Sequence, residues 1–329
     1  MKRFLLGGLT LVLAALPAPA GARTPEQEVT AWILPSASPR LVARNAADLT
    51  TLSVVGIGLR ADGASTSSPT RAMRRLALAG HRHGLTTELL VSNYSDALGD
   101  FDRRALHRML SHPARIRQVA DQVARIVGRG PWDGVNVDLE RVRESDGAGL
   151  VAFVARLQQA MPAARTVSID ISATSSVRGY RQRGYRLADL AREVDVIDLM
   201  AYDYSGPTWT GPGPIGPLAW QRASVRALRS RVPARMIQLG VAGYGYTWPT
   251  EGTGRSITPR GARRMVQDDG ADATFNREYG EWTATLSNGT VLWWSDARSY
   301  QLRAGLAERL GLRGTAVWRL GSADPLGGS

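Results

Sequence analysis

The chain has 329 residues, 43% of them hydrophobic, with 41 Lys and Arg against 29 Asp and Glu and no cysteine. That is the composition of a globular protein, and it excludes disulfides, thiolate nucleophiles and cysteine metal sites. The formal net charge is +12, yet Lys2 is the single lysine, so Schiff-base catalysis and a phosphate-cradling P-loop lack the lysine they need in the body of the chain.

At the N-terminus, Lys2 and Arg3 precede an apolar run from Phe4 to Leu16, and the small residues Ala20-Gly21-Ala22 follow. This is the pattern of a secretory signal, and the run is shorter than the roughly 20 residues that span a bilayer. Residues 1–22 are expected to be removed, giving an exported chain, periplasmic or extracellular, with no transmembrane span. The arginines are scattered singly or in pairs, as at Arg74-Arg75, Arg103-Arg104 and Arg263-Arg264. Without a basic stripe they read as solvated surface, or as attraction to an anionic wall polymer or membrane surface, and no nucleic-acid partner is expected.

Short β-rich apolar runs then alternate with helical patterns: Val29–Leu34, Leu52–Leu59, Thr86–Ser92, Gly134–Leu139, Thr166–Ile171, Val194–Ala201, Met236–Val241 and Gly314–Trp318. Between the third and fourth runs, Ile116, Val119, Ala120, Val123, Ile126 and Val127 recur at helical spacing. Ser111 is the expected N-cap of that helix, with Pro113 in its first turn and Asp121 paired to Arg125. Strand-helix units repeated in this way predict a single (β/α)8 barrel, whose core typically takes about 250 residues. The surplus falls in Thr247–Ser295, where alternating segments around Asn288-Gly289 predict a small β-rich insertion between the seventh and eighth strands. The organisation expected is a signal segment, 1–22, followed by one barrel, 23–329, monomeric, with a loose tail after Asp324-Pro325.

The densest polar constellation is Trp132-Asp133-Gly134-Val135-Asn136-Val137-Asp138-Leu139-Glu140 on the predicted fourth strand. Strand alternation sends Val135, Val137 and Leu139 toward the helices, and Asn136, Asp138 and Glu140 into the barrel. Burying three polar side chains is costly unless each has a partner or a task, and the row ends at the barrel's C-terminal face, where enzymes of this architecture act. An inward cluster that only braces the barrel is the alternative.

Aromatic residues give a second signal. Tyr204, Trp209, Tyr244, Tyr246, Trp248 and Trp318 fall at or just after predicted strand ends, where rings can stack on sugar faces or pack the core. The adjacent Trp293 and Trp294 are read as packing of the insertion, and Asn93, ending the third strand, is placed within reach of the cleft. His81, His83, His107 and His112 make no metal-ligand spacing and are read as surface residues. No G-x-S-x-G elbow and no dinucleotide fingerprint occurs, Gly56-Ile57-Gly58 being too short. Neither a cofactor nor a metal is expected.

These residues resemble glycoside hydrolase family 18, the chitinase-like barrels. The hallmark D-x-x-D-x-D-x-E is matched from Asp133 to Glu140 with one departure, Asn136 in place of an aspartate. Met200-Ala201-Tyr202-Asp203 looks like the family's M-x-Y-D, and Trp318 sits where the family has its tryptophan floor. The chain is most similar to the bacterial subgroup of spore-cortex-lytic and spore-germination N-acetylglucosaminidases, through the asparagine-bearing strand, Leu199 to Tyr204, Gly213 to Leu218, Gly243 to Trp248 and Trp318 to Gly321.

The resemblance implies a retaining, substrate-assisted hydrolysis of β-1,4 bonds next to N-acetylglucosamine, the substrate's own acetamide acting as nucleophile. Glu140 is the implied general acid and base, Asp138 the partner of the acetamide N–H, and Tyr202 the donor to its oxygen; Asp203 and Trp318 are the implied sugar contacts, and Asn136, Tyr204, Tyr244 and Asn93 are further substrate-binding candidates by their positions on strands or just past strand ends. An amide at position 136 cannot share a proton with Asp138, so Asp138 is expected to be the more consistently ionised and Glu140 to govern the pH optimum. The implied partner is a polysaccharide containing N-acetylglucosamine, peptidoglycan or, alternatively, chitin; a non-catalytic, lectin-like barrel that binds such sugars is the alternative from another class.

Overall fold

The computed structural model describes residues 27–327; the expected signal segment lies outside the described residues. Eight parallel strands close into a barrel: β1 (Glu28–Ile33), β2 (Thr51–Gly58), β3 (Thr86–Ser92), β4 (Gly134–Asp138), β5 (Thr166–Ser172), β6 (Val196–Met200), β7 (Ile237–Ala242) and β8 (Gly314–Trp318). They are hydrogen-bonded in sequence order, and β1 pairs with β8 to complete the ring. The predicted (β/α)8 architecture is the observed one, with strand positions within two residues at most ends.

The strand alternation sorts the barrel into two unlike interiors. Outward residues such as Leu52, Val54, Leu89, Val135, Val137, Ile169, Leu199 and Val241 join helix residues such as Leu76, Val123 and Phe153 in one continuous apolar layer. Inward residues are largely polar and fully buried: Ser53, Glu88, Asn136, Ser168, Asp170, Asp198 and Gln238. Barrels of this kind usually fill that space with branched aliphatic side chains. Strands β2 and β3 lose register between Val54 and Ile57, and the intervening Gly56 is dictated by crowding, since a Cβ there would lie 2.5 Å from Leu89 Cδ1 and 2.6 Å from the Leu90 carbonyl.

Between β7 and β8 lies a five-stranded sheet in the order Ser256–Ile257, Gly245–Trp248, Val291–Trp294, Glu281–Thr285, Thr274–Asn276. The helix Pro259–Asp269 packs on it, and Ile257, Ala262, Val266, Leu292 and Trp294 form its own small core. Trp294 is buried and stacked on Trp282, while its neighbour Trp293 points the other way, toward Tyr279.

One ion pair fastens this sheet to the barrel. Glu281 and Arg303 meet at 2.7 Å with each side chain 1% exposed. The Glu281 carboxylate also accepts the N–H groups of Ile215 and Gly216, at 2.7 and 2.9 Å. Arg303, on the helix Ala297–Arg309, donates to the carbonyls of Gly216, Gly280 and Ser299. Three segments distant in sequence are thereby tied at one point: the loop after β6, the inserted sheet and the last barrel helix.

Three local expectations are corrected. Ser111 closes the helix Arg103–Leu110 with its hydroxyl on the His107 carbonyl, and the helix Pro113–Arg129 starts from His112 without a side-chain cap. Asp121 pairs across helices with Arg156, at 2.7 Å, and not with Arg125 along its own, because Pro113–Arg129 and Gly147–Ala160 pack side by side. The tail is held through residue 327: Leu326 is buried, Gln301 donates to its carbonyl and Arg263 forms a double hydrogen bond with Asp324.

Removing one partner of a buried, hydrogen-bonded ion pair strands the other charge. Glu281→Gln and Arg303→Met should each lower the free energy of unfolding by about 3–5 kcal/mol in urea titrations. A loss under about 1 kcal/mol would show that the pair does not anchor the insertion.

Candidate active site

The polar row on β4 ends at the C-terminal mouth of the barrel, and each of its members is positioned differently. Asn136 is deepest and fully buried. Its Nδ2 donates to Ser168 Oγ at 3.0 Å and to Asp170 Oδ1 at 2.7 Å, while its Oδ1 accepts from Trp32 Nε1 at 2.9 Å and Ser53 Oγ at 3.2 Å. With donors and acceptor all engaged by protein, Asn136 is a strut beneath the site and not the sugar contact expected.

Asp138 lies one layer higher, level with Ser92 of β3 in the strand register. Burial pushes its carboxyl up to about 6, although a hydrogen bond from Ser92 favours the charged form. Burial thus works against the ionised form expected from the amide at position 136, while the value of about 6 stays below neutral pH. Its Oδ1 is buried without a hydrogen-bond partner among the described residues, an acceptor still open beside the cleft.

Glu140 stands just past the strand end. Its backbone is held by Asn93 from both sides, Glu140 N–H donating to Asn93 Oδ1 at 2.8 Å and Asn93 Nδ2 donating to the Glu140 carbonyl at 3.1 Å. Asn93 is fully buried, so it positions the acid and is not the sugar contact expected. Burial first, then the charges of Asp138 and Asp203, raise the Glu140 carboxyl to about 8, with Arg141 opposing. Glu140 therefore carries a proton at neutral pH, the state of a general acid.

The β6 motif completes the wall. Tyr202 lines the cleft with Glu140, and burial together with neighbouring carboxylates holds its phenol well above the usual range, so it remains an O–H donor. Asp203 adopts φ 58° and accepts the hydroxyls of Tyr244 and Tyr246, the latter at 2.9 Å. Tyr244 is buried against Tyr202, with ring centroids 6.3 Å apart, and acts on the cleft through Asp203. Tyr204 and Trp209 are 50% and 52% exposed on the rim, and Trp248 is buried with its indole N–H on the Thr210 carbonyl. Trp318 packs on Trp32, with centroids 5.8 Å apart, between the aromatic cluster around Tyr244 and the barrel interior; the Trp318–Arg319 peptide is cis.

The cleft lined by Glu140, Tyr202, Asp203, Tyr204 and Trp209 has a volume of 460 Å³; Asp138, Tyr244, Trp248 and Trp318 lie outside its lining. A second cavity, 270 Å³, opens at the opposite end of the barrel around Glu88, Asp198 and Gln238, remote from Glu140. No group of three or more His, Asp or Glu suited to a metal ion occurs among the described residues.

Sequence reasoning missed several members of the site. Asp170 and Ser168 sit on β5 with the same period-two alternation that marked β4, so the run Ser168-Ile169-Asp170-Ile171-Ser172 carried the signal. Ser92 and Trp32 are single residues in apolar strands and carried none. Two histidines read as surface residues hold carboxylates: His81 with Asp133 at 2.7 Å and His107 with Asp146 at 2.8 Å. Asp133 also accepts from Thr87 N–H and Arg165, so the first aspartate of the motif clamps the base of β4.

Comparison with known proteins bears on the family and the fold. The sequence profile of Glycosyl hydrolases family 18 matches residues 50–323. The uncharacterized glycosylase YvbX of Bacillus subtilis strain 168 is 24% identical over 248 residues, covering 72% of each chain. The cortical fragment-lytic enzyme of the same organism is 25% identical over 257 residues, 73% of this chain and 57% of that one. The chain thus spans a little over half the length of the latter. Among solved structures, the chitinase from Chromobacterium violaceum superposes with a TM-score of 0.82 at 23% identity, covering 92% of this chain and 96% of the other.

The raised Glu140 carboxyl has a consequence for stability. Between the ordinary carboxyl value of 4.5 and about 8 the folded chain keeps a proton that the unfolded chain releases, so this group costs stability as pH rises through that window. Glu140→Gln removes the cost. The variant should gain on the native chain in thermal unfolding between pH 5 and pH 8.5, by at least about 2 °C; a gap independent of pH would show that Glu140 is not held protonated.

Proposed function

The chain belongs to glycosyl hydrolases family 18, and on that premise we propose that it is an exported glycosidase that cleaves β-1,4 bonds next to N-acetylglucosamine in peptidoglycan. The observation that carries the chemistry is the pairing of a proton-loaded Glu140 with the open, buried acceptor of Asp138 two residues before it. An enzyme carboxylate acting as nucleophile is not required, since a 2-acetamido group supplies its own oxygen.

In this reading the Glu140 proton passes to the glycosidic oxygen as the bond to the anomeric carbon breaks, and the acetamide oxygen closes on that carbon. Asp138 Oδ1 accepts the acetamide N–H and offsets the positive charge of the oxazolinium ring. The Tyr202 hydroxyl donates to the acetamide oxygen and fixes its line of attack. Water then adds to the anomeric carbon as its bond to the acetamide oxygen breaks, reopening the acetamide, and gives its proton to Glu140, which restores the acid with configuration retained. Asn93 holds the backbone of Glu140, Asn136 holds Asp170 beneath the site, and Tyr244 and Tyr246 hold Asp203.

Peptidoglycan is preferred over chitin on three supports: the signal pattern of residues 1–22, the net charge of +10 that remains once Lys2 and Arg3 leave with it, which favours an anionic polymer, and the sequence relation to the cortical fragment-lytic enzyme. Retention of Glu140 argues against a lectin. Mass spectrometry of products from purified peptidoglycan and from chito-oligosaccharides, with Glu140→Gln as the blank, tests the proposal. Fragments ending in reducing N-acetylglucosamine are expected from peptidoglycan with the native chain alone. Cleavage confined to chito-oligosaccharides would make it a chitinase, and binding without products would make it a lectin.

A further inference from the structure

Arg183 lines the same cleft as Glu140, Tyr202 and Asp203, and the fold fixes its position from two sides. It follows the short helix Val177–Gln182, its N–H donating to the carbonyls of Gly179 and Tyr180. The next residue, Gly184, has φ 80°, and a Cβ there would fall 2.5 Å from Val142 Cγ1 and 2.8 Å from the Arg143 carbonyl. Glycine thus lets the turn press against the loop that leaves β4 just beyond Glu140. From the other side, Arg183 Nη1 donates to the Ala173 carbonyl at 2.6 Å, in the loop that leaves β5.

What this anchoring leaves over is charge. A guanidinium has five N–H donors, and the Ala173 carbonyl engages one nitrogen. Among the described residues no carboxylate pairs with Arg183, whereas its neighbour Arg181 meets Glu144 at 3.1 Å and Arg141 is paired with Asp100. Of the carboxyls that line the cleft with it, Asp203 accepts the Tyr244 and Tyr246 hydroxyls and Glu140 is pushed toward its neutral form by burial, and neither pairs with that cation among the described residues. An unpaired arginine held against a carbonyl at the edge of a sugar cleft is suited to a planar anion, which it grips with two parallel hydrogen bonds.

We propose that Arg183 is a specificity-determining residue that binds a carboxylate carried by the saccharide, the 3-O-lactyl carboxylate of N-acetylmuramic acid freed of its peptide. The inference rests on the peptidoglycan reading and sharpens it. Chitin carries no anion, a muramic lactam has closed its own carboxylate, and a peptide-bearing lactyl group is an amide. The preferred substrate is then a glycan strand from which peptides have been removed, so the class of reaction that supplies it is hydrolysis of the amide between lactyl group and peptide.

The test compares three glycans with the native chain and Arg183→Gln: peptide-free strands, the same strands with their lactyl carboxylates converted to neutral amides, and intact peptide-bearing strands. The ratio of kcat/KM on peptide-free to amidated strands should fall roughly fivefold in the variant, the worth of about 1 kcal/mol. An unchanged ratio would overturn the inference. If peptide-bearing strands show the same fall as the peptide-free ones, the carboxylate read is that of the stem peptide and the lactyl assignment fails. Should the native chain cleave none of the three, the proposed function fails on its own, and binding decides the inference: peptide-free strands should bind Glu140→Gln more tightly than the double variant with Arg183→Gln, and equal binding would overturn it.

Discussion

Four hydrogen bonds converge on the side chain of Asn136, from Trp32 on β1 and Ser53 on β2 and to Ser168 and Asp170 on β5. A barrel whose inner face is largely polar has little aliphatic packing to hold its strands in register from within, and this amide ties three of them across the interior. It also explains the departure from the family hallmark. An aspartate at 136 would lose both donors and face Asp170, whose own carboxyl burial already holds well above the usual range, next to Asp138 and Asp198. With acids on β4, β5 and β6 at neighbouring levels, the central position needs a neutral group that donates.

The same enclosure sets the chemistry above the strut. Withdrawing carboxyls from water disfavours their charged forms, and the effect is larger for Glu140, which adds the fields of Asp138 and Asp203, than for Asp138, which has a hydrogen bond from Ser92. Two carboxyls two residues apart are thereby raised unequally, to about 6 and about 8, the difference on which the proposed division between acid and hydrogen-bond acceptor rests. The inserted sheet contributes from the other wall: the Glu281–Arg303 pair fixes the loop of Ile215 and Gly216, whose Ile215 carbonyl accepts the Tyr204 N–H and so orders the chain just past Asp203.

Much of this was legible in the sequence, for a physical reason. Period-two alternation of valine and leucine with Asn136, Asp138 and Glu140 states both the strand and its inward face, and the eight β-rich runs state the barrel. What was not legible depends on contacts between distant segments. Asn93 reads as a polar residue at a strand end, and nothing local shows that it bonds to the backbone of Glu140, 47 residues on. The Glu281–Arg303 pair, the cross-helix partner of Asp121 and the histidine clamps on Asp133 and Asp146 are of the same kind. The burial of Asp138, which works against its charged form, could likewise not be read from residue identity at 136.

The account turns on Glu140 being held protonated by its surroundings. The most direct measurement is a ¹³C NMR titration of the side-chain carboxyls of the native chain, with the Glu140 resonance assigned by its loss in Glu140→Gln. A Glu140 midpoint near 8, with a smaller inflection near 6 as Asp138 ionises, is the predicted result. A single midpoint near the ordinary carboxyl value of 4.5 would contradict it and remove Glu140 as the acid at neutral pH.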